Sequence, residues 1–129
     1  MNKEQVKVFN ELLNDEGFKG KEMLKRLLWV NTNDPKFKSG DCFRVSDPGH
    51  TVFGQPVRNF KAKVVKVMWQ KIGNLTYRYE LEMNVRYKGK QVNSLVYLDE
   101  SYLTVCARCE DNVNELDDGN DDSPEEILI

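Results

Sequence analysis

Three groups of side chains in this 129-residue chain have the types and spacing to do chemistry. The first is Cys106-Ala107-Arg108-Cys109, a Cys-x-x-Cys pair with the spacing of half a zinc site. If the first and last strands of the fold are neighbours, Cys42 approaches this pair, and His50 would supply a fourth ligand. Three reduced cysteines at the junction of body and tail are the other reading, since a second Cys-x-x-Cys is missing. No metal or cofactor is assigned. The second group is basic: Arg58, Lys61, Lys63, Lys66 and Lys71, then Arg78, Arg86, Lys88 and Lys90. Lysines alternating with apolar residues line one face of a strand, and Phe53, Trp69 and Tyr87 are available to stack on bases. The same pattern also describes a solvated strand face that discourages edge pairing. The third group is the acidic end, which closes on Ile127-Leu128-Ile129.

Enzymatic chemistry lacks its parts. There is one histidine, no serine in a nucleophile-elbow context, and no Gly-Lys-Ser/Thr after Gly17 and Gly20. Glu80 and Glu82 stand at i, i+2 on a strand, which makes them a charged surface rather than an acid–base pair. The chain is read as non-enzymatic, with a protein or nucleic acid as partner, no small-molecule substrate and no membrane.

The elements that position these groups follow from periodicity. Val6, Phe9 and Leu13, widened by Leu12, predict a helix over residues 3–15, stopped near Gly17. Met23, Leu24, Leu27 and Leu28 predict a second over 19–29, with Lys21, Glu22, Lys25 and Arg26 outside and Asp34-Pro35 ending it. Strands follow. Phe43 and Val45 alternate with Cys42 and Arg44, Asp47-Pro48-Gly49 turns, and a long loop runs from Ser46 to Asn59. Residues 60–69 form a strand whose apolar phase switches between Val64 and Val65, as a bulge produces. Tyr77, Tyr79, Leu81 and Met83 alternate strictly with Arg78, Glu80 and Glu82. Lys88-Gly89-Lys90 turns into a strand over 92–98, Asp99 to Tyr102 makes one helical turn, and Leu103 to Cys106 closes the set.

The expected class is therefore α+β. A helical hairpin (1–35) packs on a five-stranded antiparallel barrel (36–109), and an acidic, disordered tail (110–129) follows. Nine of the 21 acidic residues fall in that tail, with no basic one. The body thus keeps 19 cations against 12 acids, a net +7 inside an overall −2. Such a tail adds solubility, screens the basic body, or docks a partner through Ile127, Leu128 and Ile129. The odd cysteine count and the absence of an apolar leader point to the cytoplasm.

Gly40-Asp41-Cys42-Phe43-Arg44-Val45, then residues 60–67 and Glu100-Ser101-Tyr102-Leu103, resemble the Src-homology-3-like small barrels, KOW-type branch. The resemblance covers about half the chain. It implies a binding module, with Tyr102 similar to a groove tyrosine of domains that hold proline-rich peptides. The long Ser46–Asn59 connection departs from the tight glycine loop of the KOW pattern. Two helices, a small barrel and an acidic end also look like accessory proteins of phages and mobile elements. That likeness implies an alternative: an anti-CRISPR-type or other anti-defence inhibitor that blocks a host nucleic-acid enzyme. The tail resembles the acidic, apolar-ended tails by which single-stranded-DNA-binding proteins recruit partners.

Overall fold

Asn2 and Gln5 begin the first helix reciprocally. The Asn2 side chain accepts from the Gln5 N–H, and the Gln5 side chain accepts from the Asn2 N–H, which satisfies two donors a helix start leaves orphaned. In the computed structural model of the chain, which describes residues 1–70 and 75–116, this helix is α1, Lys3–Leu13. Helix α2, Gly20–Thr32, runs back beside it. Its last carbonyls are met by buried side chains: Gln5 Nε2 donates to Val30 O at 2.8 Å, and the Tyr77 hydroxyl donates to Asn33 O at 2.6 Å.

Both helices turn inward faces that overlap those expected only in part: Leu12 and Leu27 are buried, and Phe9 and Met23 pack against the core. Gln5, Val8 and Leu12 are buried on α1, and Arg26, Leu27 and Val30 on α2, whereas Val6, Leu13, Leu24 and Leu28 are exposed. The apolar residues of each helix form two overlapping stripes. The sheet takes the stripe that carries Gln5, whose side chain reaches Val30 O, and Arg26, whose Nε and Nη1 are buried without a hydrogen-bond partner among the described residues. Arg26 lies against the Phe18 ring, 4.3 Å from its centroid, and bonds Glu22 at 2.7 Å.

Four strands form an antiparallel meander: β1 (Cys42–Val52), β2 (Gln55–Trp69), β3 (Tyr77–Tyr87) and β4 (Lys90–Asp99). Phe53-Gly54 and Lys88-Gly89, all at positive φ, are the two-residue turns that join β1 to β2 and β3 to β4. The expected Ser46–Asn59 loop is thus one long hairpin. Asp47-Pro48-Gly49 reads as a turn but lies inside β1, where the register slips between Asp47 and Thr51 as the strand bends. The phase switch in β2 is present as a register shift between Val64 and Lys66, and it leaves Val65 exposed. Tyr77, Tyr79, Leu81, Met83 and Val85 all face the core, as their alternation requires. There they join Val8, Leu12, Leu27 and Val30 of the helices.

After β4 the chain makes a short helix, α3, over Glu100–Thr104. Leu103 and Thr104 therefore belong to a helix, not to a closing strand. Residues 107–109 instead approach β1: Phe43 bridges Arg108 antiparallel, and the Arg44 N–H donates to Ala107 O at 2.9 Å. The fifth strand, β5, is Val113–Glu115, inside the stretch assigned to the tail, and it pairs parallel with β3. Its short polar sequence gives no periodic signal. Asn114 does the welding: Oδ1 accepts from Lys61 N–H at 2.6 Å, and Nδ2 donates to Lys61 O at 2.9 Å and Asn84 O at 3.2 Å. β5 so fills the gap where β2 bends away from β3. The sheet is open, with no ladder between β1 and β4. The remainder of the expected tail, with Ile127, Leu128 and Ile129, lies outside the described residues, as does Lys71.

Candidate partner interface

The basic residues separate into those spent inside the fold and those left over. Lys61 Nζ pairs with Asp111 Oδ1 at 3.1 Å, and Arg86 Nη1 with Glu115 Oε2 at 3.2 Å. The acidic end thus neutralises two cations of the body. Asp111 is held below the usual carboxylate range by the Val113 N–H and by Lys61. Lys66 Nζ bonds Glu11 Oε2 at 2.7 Å, and that contact raises its pKa. Arg78 is engaged three ways, by Asp99 at 3.1 Å, Gln70 at 3.0 Å and Tyr97 O at 3.3 Å. These four are fastenings between elements.

Trp69 is not a stacking platform. It is 6% exposed and packs edge-on against Trp29 and Tyr77, with ring centroids 5.3 and 6.4 Å away. The bulge at Val65 turned it inward with Val67. Tyr87 and Phe53 do reach the surface region together, 5.6 Å apart, with Lys88 over the Tyr87 ring. Tyr102 is committed too. Its hydroxyl accepts from the Ser46 N–H at 2.8 Å and donates to Ser46 O at 3.1 Å, which clamps α3 onto β1.

What remains is concentrated on the β1–β2 hairpin. Arg44 and Arg58 are exposed and make no ion pair among the described residues. Lys63, half-buried, lies opposite Cys42 and Glu82 without an ion pair there either. The cross-strand register sets Arg44 opposite Lys61. A bulge puts Arg58 and Asn59 against the single residue Ser46, with Asn59 at φ 58°. Arg44, Arg58, Phe60, Lys61, Asn114 and Glu115, the last paired with Arg86, share an open groove of about 420 Å³ walled on one side by β5. A smaller cleft beside it, about 260 Å³, carries Arg86, Lys88 and Lys90. Arg44 was absent from the expected set, although its alternation with Phe43 and Val45 already put it on the outer face.

The cysteines are not joined by a histidine. His50 Nε2 lies 2.9 Å from Ser94 Oγ on β4, and no group of three or more potential ligands is assembled among the described residues. Cys106 donates to Tyr102 O at 3.3 Å, and burial pushes its thiol pKa up. Among the described residues no helix is long and apolar enough to cross a membrane. No protein-family model matches the chain, and neither a curated protein nor a solved structure is detectably similar to it.

Proposed function

We propose that the chain is a non-enzymatic binding module whose basic β1–β2 face engages a polyanionic partner, with nucleic acid the first candidate. The observation that carries this is the ion-pair pattern. Arg44 and Arg58 flank a groove with no acid committed to them, while Lys66, Arg78 and Arg86 are paired. Arginines in a cleft offer planar, multiply donating groups suited to phosphate, and each phosphate contact releases counterions on binding. The connectivity supports a Src-homology-3-like reading: a four-strand meander, a short helix, then a return to β1 at Arg108. The acidic end supports a masking role, because Asp111 and Glu115 already neutralise Lys61 and Arg86 beside the groove.

The test is retention of the full chain on heparin and on a labelled single-stranded oligonucleotide as salt is raised. Arg44→Glu with Arg58→Glu is expected to weaken binding at least tenfold and to flatten the salt slope by about two. Equal binding by the wild type and the double variant overturns the reading. A second reading, an inhibitor that covers a nucleic-acid enzyme, draws on Leu24 and Leu28, one helical turn apart on α2 and 68% and 64% exposed. It predicts that Leu24→Lys with Leu28→Lys abolishes capture of an enzyme from bacterial lysates, while heparin binding persists.

A further inference from the structure

The return of residues 107–109 to β1 has a register, and that register sets two cysteines face to face. Phe43 and Arg108 form the antiparallel bridge, so Cys42 and Cys109 are the next opposed pair, and the Cys109 N–H donates to Cys42 O at 3.3 Å. Opposed residues of an antiparallel pair project to the same face, with Cα atoms about 5.5 Å apart when hydrogen-bonded. That lies inside the roughly 4.4–6.8 Å range a disulfide accepts. The Cβ atoms need to approach by about 1 Å more, and an isolated bridge yields where a full ladder would resist. Both thiols are free here. Cys106 donates to Tyr102 O at 3.3 Å and Cys42 more weakly to Gly40 O at 3.7 Å, and it is Cys42 whose charge bears on Cys109, so the adjacent Cys-x-x-Cys partner is the less well placed of the two.

We propose that Cys42 and Cys109 are a disulfide-forming pair, oxidised by a low-molecular-weight disulfide such as glutathione disulfide, which latches the return segment onto β1. Cys109 is the more exposed thiol and reacts first. Its thiolate, the proton lost to solvent, attacks one sulfur of glutathione disulfide. The S–S bond breaks, one glutathione leaves as thiolate, and a mixed disulfide remains. The Cys42 thiolate then attacks the Cys109 sulfur and expels the second glutathione. Two protein thiols are oxidised and one glutathione disulfide is reduced to two thiols. Burial and the neighbouring Cys42 push the Cys109 thiol above its ordinary range, against the opposing pull of Arg44 and Lys61. The first step therefore accelerates as pH rises through the alkaline range. The latch adjoins the groove, since Arg44 lies two residues beyond Cys42 on the same outer face.

The experiment incubates the full native chain with glutathione disulfide, blocks remaining thiols and digests with trypsin. Cleavage after Lys38, Arg44, Lys90 and Arg108 puts each cysteine in its own peptide: Cys42 in 39–44, Cys106 in 91–108, and Cys109 in the peptide that begins there. The expected product is a 39–44 peptide linked to the Cys109 peptide, with only Cys106 blocked. It should form equally in Cys106→Ser, and the thermal midpoint of the oxidised protein should rise by roughly 8 °C or more. Linkage of Cys106 to Cys109, or stable glutathione adducts on Cys42 and Cys109, overturns the proposal. So does a native chain that keeps all its thiols while the denatured chain reacts, or an oxidised form that melts lower.

Discussion

The two ends of the sheet treat their polar groups differently. At the end covered by the helices, side chains capable of binding something are spent on the fold. Gln5 and Tyr77 meet the last carbonyls of α2, Lys66 ties β2 to α1, and Trp29, Trp69 and Tyr77 fill the space between. At the end where β5 and residues 107–109 join, Asn114 supplies the polar weld, and Arg44 and Arg58 stay unspent at a groove. On the proposed reading, a cation paired within the fold, as Lys66 is to Glu11, is a structural residue, while an unpaired one on the β1–β2 hairpin, such as Arg44 or Arg58, is a binding residue. The largest effect that tests this division is at Trp69. Trp69→Ala is expected to cost about 3–5 kcal/mol in urea unfolding, as for a buried aromatic truncated to a cavity. The variant that remains folded should bind heparin like the wild type. A variant of unchanged stability and lost binding would break the comparison.

Asn114 comes next because the open end depends on it. Asn114→Ala removes the acceptor of the Lys61 N–H and the donor to Lys61 O, Asn84 O and Asn112 O. Leaving such groups unpaired where β2 and β3 diverge costs about 2–4 kcal/mol. Hydrogen exchange should quicken at Lys61 and in β5 while the Tyr77 end stays protected. Uniform loss of protection would show that the two ends unfold as one unit.

This division also explains what the sequence could and could not reveal. Strand β3 was legible because one face is wholly buried, so strict alternation was the only pattern its residues could keep. The bulge in β2 was legible for the same reason, as a slip in that alternation. The helix faces were legible only in part, through Phe9, Leu12, Met23 and Leu27. Val6, Phe9 and Leu13 form as good a stripe as Val8 and Leu12, and the choice is made by Gln5 reaching Val30 O, a contact 25 residues away. Strand β1 beyond Asp47 was hidden by a Pro-Gly pair that ordinarily marks a turn, and β5 by acidic and amide residues that signal disorder. Both depend on non-local pairing, to which local propensity is blind. Of the interface, the basic strand was visible. Which cations remain free was not, because Glu11, Asp99 and Glu115 come from other elements.

The helix-covered end should also announce itself in alkali. Burial, reinforced by Glu100, raises the pKa of Tyr77 and Tyr79 well above the tyrosine range. A raised folded pKa means the folded state holds the proton more tightly. Its contribution is complete below the unfolded value near 10 and is lost as pH climbs from there toward the folded values. Stability should therefore fall steeply above about pH 10, and Tyr79→Phe should flatten that slope. At neutral pH the same variant is expected to cost about 1–2 kcal/mol, because it removes the 2.6 Å bond to Glu100. An unchanged alkaline slope would place the sensitive groups elsewhere.

The smallest expected effect is the most discriminating for the comparison. Lys66 sits among the basic residues of β2 and, by sequence, belongs with Lys61 and Lys63 as a binding residue. Its ammonium is held by Glu11 on α1, and both side chains are nearly half exposed. An ion pair so exposed contributes about 0.2–1 kcal/mol and is screened by salt. Lys66→Ala should thus lower stability by less than about 1 kcal/mol at low salt and by less still at high salt, with oligonucleotide affinity within about twofold of the wild type. The informative control is Glu11→Ala, which frees Lys66 without removing it. If that variant binds polyanions more tightly, Lys66 is a binding cation held in reserve by α1, and the boundary between the structural and binding ends moves one strand register toward the helices.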